Sequence, residues 1–334
     1  MKTYAAFYDN KVRKKSSSGG IFSLLAQQFE VVYGVAMTED CYGAEFVRVE
    51  NGDIAPLRGS KYFQAKVGDT FKQVKKDLEE GRHVLFSGTG CQINGLHMFL
   101  QKNYRNLCSL DVICHGTPSP KLWREYAKYQ ESKHGKLENV NFRCKDDSWV
   151  DFGMKENQLY ISKDKDSFMR MFLRDYCLRP ACYECHAKYY KNSDITIADF
   201  WGIESVAPEM NDGMGTSLVI TRTEKGKKIF NKIKTELKWK EVCYEDGVRS
   251  NPAEYTSALR PKERDTFFND LSSLAFEKME KKYAADMKAS FPKRVVRKAK
   301  SLVKKILTGG EYTEVKRRSN ADYGMLFTFH HQGE

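Results

Sequence analysis

The sequence predicts an α/β fold of mixed α+β character, with a largely parallel N-terminal sheet flanked by helices, an antiparallel middle segment and a helical C-terminal region. Three observations carry this. First, the apolar runs HVLF (83–86) and SLDVI (109–113) each end in a glycine-bearing loop, and each loop opens into a helix. Repeated strand–loop–helix units build parallel sheets, because a chain can return to the same sheet edge only through a crossover. Second, from residue 140 the segments VNFRCKDDSW and FGMKENQLYISK are close enough to pair antiparallel. Third, residues 251–285 are charged and read as helical. The expected parts are therefore 1–140, 141–250, a helical extension 251–287 and a basic tail 288–334.

In chain order, YAAFY (4–8) reads as a short strand. In the following KKSSSGGIFSLLAQQF, Ser18 is the expected N-cap, and Ile21, Leu24, Leu25 and Phe29 share one helical face. VVYGVAM (31–37) and AEFVRVENGDIAPL (44–57) read as strands, with Asn51-Gly52 as a hairpin turn. GDTFKQVKKDLEEG (68–81) is a helix that buries Phe71, Val74 and Leu78 and stops at Gly81. After HVLF and SGTGC, helical spacing returns at Ile93, Leu96 and Leu100. After SLDVI and CHG, Ser119 caps a helix with Pro120 in its first turn. DSFMRMFLRDYC is helical, SDITIADFWGI (193–203) and SLVITRT (217–223) contain strands, and EKGKKIFNKIKTEL is a helix.

The chain has 334 residues, 41% of them hydrophobic, which is enough for a large core. No run of 18 apolar residues occurs, and the first residues lack the apolar stretch of a signal peptide, so a cytoplasmic location is expected. The net charge is +12, but residues 288–318 hold eleven Lys/Arg against two Glu, a net +9. The remaining body is nearly neutral, which argues against a nucleic-acid-binding face. Within the tail, FPKRVVRKAKSLVKKIL places Val295, Ala299, Leu302, Val303 and Ile306 on one helical face and Lys/Arg on the other. That arrangement suits either a solvated charged tail or a helix lying on an anionic membrane, the latter giving a peripheral position on the inner face.

The nine cysteines are 41, 91, 108, 114, 144, 177, 182, 185 and 243. An odd number in a large intracellular chain points to metal ligands, reactive thiols or buried hydrophobes rather than disulfides. Cys41, Cys108, Cys144 and Cys243 read as buried hydrophobes. Cys182 and Cys185 form a C-x2-C pair, which places two thiolates on one tight turn, as a tetrahedral zinc or one face of an iron–sulfur cluster requires. The other two ligands would come from among Cys91, Cys114 and Cys177. Cys91 and Cys114 lie in Gly-flanked loops just past strand ends, at the sheet edge where ligands bind in open α/β sheets. Cys177 follows an apolar helix, where a packed thiol is equally natural.

The motifs SSSGGIF, GSKYFQ (59–64), FSGTGCQI (86–93), DVICHG (111–116), CYEC (182–185) and SDITIADFWGI occur in one order. Together they resemble the coenzyme F-420 hydrogenase/dehydrogenase beta-subunit family over roughly residues 4–205. The resemblance implies an iron–sulfur flavoprotein oxidoreductase that exchanges hydride at FAD and single electrons through a 4Fe-4S cluster. It implies Cys91, Cys114, Cys182 and Cys185 as the cluster ligands. Gly90 stands where the family's loop has proline.

For the flavin, Gly-rich turns supply the backbone N–H groups a pyrophosphate needs. Ser18, Gly19, Gly20, Ser87, Gly88 and Thr89 lie in such turns, and by the resemblance Ser60, Lys61 and Tyr62 lie near the flavin. The implied partners are a ferredoxin or another redox subunit, and a diffusible hydride carrier such as a deazaflavin. No acid–base residue is singled out. The contrasting expectation is a zinc-stabilised binding protein without redox chemistry.

Overall fold

The computed structural model describes residues 1–146 and 148–286, so the basic segment 288–318 lies outside the described residues. Residues Met1–Ala285 form one compact unit. Its strands and helices follow in chain order as β1 (Lys2–Phe7), α1 (Asn10–Lys14), α2 (Ile21–Ala26), β2 (Val31–Met37), β3 (Ala44–Glu50), α3 (Thr70–Glu79), β4 (Val84–Thr89), α4 (Gly90–Leu100), β5 (Leu107–Val112) and α5 (Pro120–His134). The chain continues with β6 (Val140–Cys144), β7 (Gly153–Glu156), β8 (Leu159–Ser162), α6 (Ser167–Leu173), β9 (Ile195–Asp199) and α7 (Ile203–Val206). Then follow β10 (Ser217–Thr221), α8 (Glu224–Ile233), β11 (Lys238–Val242), α9 (Tyr244–Val248), α10 (Arg264–Ser273) and α11 (Phe276–Tyr283).

Eight strands form one sheet in the order β11-β1-β10-β9-β5-β4-β2-β3, and β6, β7 and β8 form a second. The expected mixed α/β fold is borne out. The centre β2-β4-β5-β9 is parallel, while β3 on one side and β10, β1 and β11 on the other pair antiparallel. The two strand–loop–helix units sit side by side, with Thr89 of β4 opposite Val112 of β5.

Strand periodicity sends alternate side chains to opposite faces. Leu85, Tyr4, Ala6 and Val219 join Ile21, Leu24, Leu25, Phe230 and Ile233 under α2 and α8. Their neighbours Val84 and Phe86 turn the other way and meet Val74, Leu78, Ile93 and Leu96 of α3 and α4. A third apolar cluster gathers Trp123 and Tyr126 of α5, Phe142, Phe168 and Phe172, and Phe267 and Met279 from the C-terminal helices. Phe63 stacks on Trp123 within it, with ring centroids 5.1 Å apart.

Four local expectations change. The N-cap of α2 is Gly20 at φ +83°, a left-handed value suited to glycine, while the Ser18 Oγ donates instead to the Thr216 carbonyl. Asn51-Gly52 does not turn a hairpin. β2 and β3 pair through residues 38–43, where Asp40 and Thr38 bind the loop amides, and Asn51 only ends β3. Phe71 is half-buried rather than buried. β11 is an additional edge strand that runs KWKEV, too polar to signal a strand by its pattern.

Candidate functional site

The parallel strands end on one edge at Met37, Thr89, Val112 and Asp199, and the cysteine-bearing loops leave from this edge. Cys91 is the second residue of α4. Its thiol lies 3.2 Å from the Thr89 hydroxyl, and the Thr89 N–H donates to Gln92 Oε1 at 2.8 Å, holding the first turn closed. Cys114 follows β5 by two residues. Cys182 ends a short 3-10 turn, Pro180–Cys182, and Cys185 precedes another, His186–Lys188.

Named contacts hold these loops against one another. The Thr117 N–H donates to Cys182 Sγ at 3.4 Å, and the Arg179 N–H donates to the Thr117 carbonyl at 3.0 Å, which docks the Cys114 loop on the C-x2-C turn. Asn94 Nδ2 donates to the Tyr190 carbonyl at 2.9 Å, which docks α4 on the segment after Cys185. A Cβ built at Gly90 would lie 3.3 Å from the Ala187 Cβ and 3.2 Å from Asp111 Oδ2, so the residue that stands in place of proline allows this close approach. The Cys185 N–H donates to Ser257 Oγ at 2.9 Å, bringing in the segment ahead of α10.

The four thiols share one electrostatic neighbourhood. Burial pushes the Cys114 thiol up to about 12; Lys188 opposes the shift, and Cys91, Cys182 and Cys185 add to it by repulsion. Burial also raises the Cys182 thiol, against the Thr117 N–H, with Cys91 and Cys185 adding repulsion. Among the described residues no three His, Cys, Asp or Glu side chains come close enough to chelate a single ion. Cys91 is exposed, while Cys114, Cys182 and Cys185 are half-buried.

Cys177 is fully buried in the cluster of Trp123 and Phe172, and burial raises its thiol strongly. Cys41, Cys108 and Cys144 are buried as expected, but Cys243 is exposed and its Sγ donates to Glu245 Oε2 at 2.6 Å. It precedes the short helix α9 at the sheet edge, where the core ends.

The residues expected near a flavin fall into two groups. Ser18, Gly19 and Gly20 pack at the start of β10, where a Cβ on Gly19 would come within 2.5 Å of the Ala6 carbonyl oxygen. The Ser17 hydroxyl lies 3.3 Å from that of Ser60, joining the 59–64 segment to this turn. That segment then crosses toward the cysteines, with the Gln64 N–H donating to the Pro118 carbonyl at 3.2 Å. Lys61 donates to the Pro56 and Arg58 carbonyls, and burial lowers its ammonium to about 8. Tyr62 packs against Phe142 and Phe172, and burial raises its phenol.

Ser87, Gly88 and Thr89 form the second group, on β4, three strand spacings from β10, roughly 14 Å. The amides of Gly19 and Thr89 are already spent, on Ser217 Oγ and Gln92 Oε1.

Sequence reasoning missed several charged residues here. Lys145 donates to the carbonyls of Arg13, Ser18 and Met214, and burial first, then repulsion by Arg13 and Arg143 against the pull of Asp199, brings its ammonium to about 8. Arg13 is fully buried and pairs with Asp212 at 2.6 Å. Arg143 pairs with Asp199 at 3.0 Å beneath Trp201. The basic RCK triplet at 143–145, inside a strand that packs on a core, was the available signal.

Residues 81–245 match the family model for the C terminus of the coenzyme F420 hydrogenase/dehydrogenase beta subunit. The fold is similar to that of a chain in the F420-reducing [NiFe] hydrogenase complex from Methanosarcina barkeri, described with xenon derivatization. That similarity has a TM-score of 0.52 and 15% identity, over 84% of this chain and 90% of that one. No protein of curated function matches the chain. The resemblance carried by the motifs is therefore borne out over the matched residues. Among the described residues no helix is long and apolar enough to cross a membrane.

Proposed function

We propose that the chain is an iron–sulfur flavoprotein oxidoreductase, with Cys91, Cys114, Cys182 and Cys185 holding one 4Fe-4S cluster. The observation that carries this reading is the arrangement of those thiols. Their loops dock on one another at one sheet edge, the Thr117 N–H on Cys182 Sγ at 3.4 Å and Asn94 of the Cys91 helix on the Tyr190 carbonyl just past Cys185 at 2.9 Å. A tetrahedral zinc draws its thiolates close, with Zn–S about 2.3 Å. A cuboidal core keeps them farther apart, because iron and sulfide fill the centre. The zinc-stabilised alternative would use the same four thiols, and metal and sulfide content separates the two readings. Cys177, packed in apolar surroundings, is left as a structural thiol.

For FAD, the serine turn at 17–20, the 60–62 segment and the end of β4 lie along one sheet edge. Their separation suits an elongated dinucleotide better than a shared phosphate cradle. Because the Gly19 and Thr89 amides are satisfied within the protein, the phosphates fall to the ammonium of Lys61 and the hydroxyls of Ser17 and Ser60. When both are bound, the flavin takes electrons in pairs as hydride and the cluster passes them singly. In this reading the two would lie along one edge, with Cys114 half-buried and Cys91 exposed. The exposed side is where a ferredoxin or another redox subunit would collect electrons, and the hydride would come from a deazaflavin-like or other small carrier.

Anaerobic purification with determination of iron, sulfide, zinc and flavin tests this directly. The expected result is about four iron and four sulfide per chain, with flavin bound. A colourless protein with stoichiometric zinc would overturn the reading.

A further inference from the structure

Lys188 carries a buried charge that pairs with no carboxylate among the described residues. The residue is 8% exposed. Its Nζ donates to the Cys114 carbonyl oxygen at 2.5 Å and to the carbonyl of Ala253. Both acceptors are neutral, and an ammonium has three N–H groups. Among the described residues no Asp or Glu forms an ion pair with it; Glu254, close by, is held by Lys191 and Arg222. A buried charge left without a counter-charge is costly and is ordinarily neutralised or paired.

We infer that Lys188 is the built-in counter-charge of the four-cysteine site, and that its fixed positive charge sets the reduction potential of the cluster held there. This rests on the cluster reading above and adds to it a residue that binds no iron. Four thiolates bring more negative charge than the iron–sulfide core cancels. Reduction adds one electron, supplied by the flavin or the partner carrier, and makes the site more negative by one unit without making or breaking a bond. A cation on the buried side of the site is poorly screened by solvent, so it favours the reduced form. Lys188 is thus a positioning and tuning residue. It fixes the Cys114 loop through one hydrogen bond and the site's charge through its ammonium.

The test is a redox titration of the anaerobically reconstituted full chain, followed by the electron paramagnetic resonance of the reduced cluster. At the poise where the unaltered protein is half reduced, Lys188→Gln is expected to lower the reduced-to-oxidised ratio at least tenfold, which is 59 mV for one electron. Lys188→Arg, which keeps the charge, is expected to stay within threefold. Ala253→Asp sets a carboxylate beside the ammonium without removing it, and is expected to shift the ratio in the same direction as Lys188→Gln. If Lys188→Gln does not retain the cluster, Ala253→Asp decides. An unmoved potential in a fully loaded Lys188→Gln or Ala253→Asp protein would overturn the inference and leave the cluster reading standing. If the unaltered protein holds no iron and sulfide, both fall together.

Discussion

Asn94 on α4 and Tyr190 beyond the C-x2-C turn are joined by one hydrogen bond, Nδ2 to carbonyl oxygen at 2.9 Å. It ties the helix whose second residue is Cys91 to the segment that follows Cys185, through residues ninety-six positions apart. Asn192 Nδ2 donates back to Asn94 Oδ1 at 3.0 Å, so the side chain is held from both ends. Asn94→Ala is expected to cost about 1 kcal/mol of stability, the usual net worth of such a bond. It is also expected to speed loss of iron in air. Iron content after timed exposure checks this, and retention equal to that of the unaltered protein would show that α4 needs no such tie.

The cysteines are expected to separate cleanly by substitution. Cys114→Ser and Cys182→Ser should each lose most of the iron. Cys177→Ala should keep it and instead lower the urea midpoint, because it empties part of a packed core for about 1–2 kcal/mol. Should Cys177→Ala lose the iron while Cys91→Ser keeps it, the ligand set proposed here is wrong.

The serine turn near the proposed flavin depends on Gly19. A Cβ there would press on the backbone of both β1 and β10, at 2.5 Å from the Ala6 carbonyl oxygen and 2.8 Å from the Ser217 nitrogen. Gly19→Ala is expected to destabilise the protein by about 1–3 kcal/mol, as overpacking does, and to release flavin. Thermal melting and flavin content after gel filtration measure the two effects separately.

Stability should fall with rising pH through a buried acid pair. Burial raises the Glu156 carboxyl to about 7 and the Asp166 carboxyl to about 6, and the Tyr126 hydroxyl, shared between them at 2.6 and 2.5 Å, opposes this. Among the described residues Glu156 Oε2 has no hydrogen-bond partner, and Glu280 adds repulsion on Asp166. Both folded values lie above the ordinary carboxylate range, so the folded chain holds protons that the unfolded chain releases. This contribution is complete below about pH 4 and is lost as the pH rises through 6 to 7, on the order of 3 kcal/mol for Glu156. Glu156→Gln should flatten the difference between urea midpoints at pH 5 and pH 8. An undiminished difference would place the dependence elsewhere.

Much of this architecture was legible in the sequence because its causes are local. Ser119 before Pro120 marks the start of α5, Gly81 marks the end of α3, and short apolar runs assign β1 and β2 to a sheet. The glycine loops after HVLF and SLDVI placed Cys91 and Cys114 at strand ends for the same reason, and the matched family model agrees with the motifs that suggested it.

What only the tertiary structure decided are relations between distant parts of the chain. β9 lies beside β5, bringing its C-terminal end to the same edge; Asn51-Gly52 ends a strand instead of turning one; Cys177 is sealed in a core while Cys243 faces solvent. Lys188 looks like any surface lysine in the run HAKYYK, and becomes a buried cation only when the loops of Cys114 and Ala253 close over it. Local propensity and periodicity act over a few residues, so sequence reports them directly. Which loops meet, and which charge is left without a partner, depends on the whole chain closing on itself.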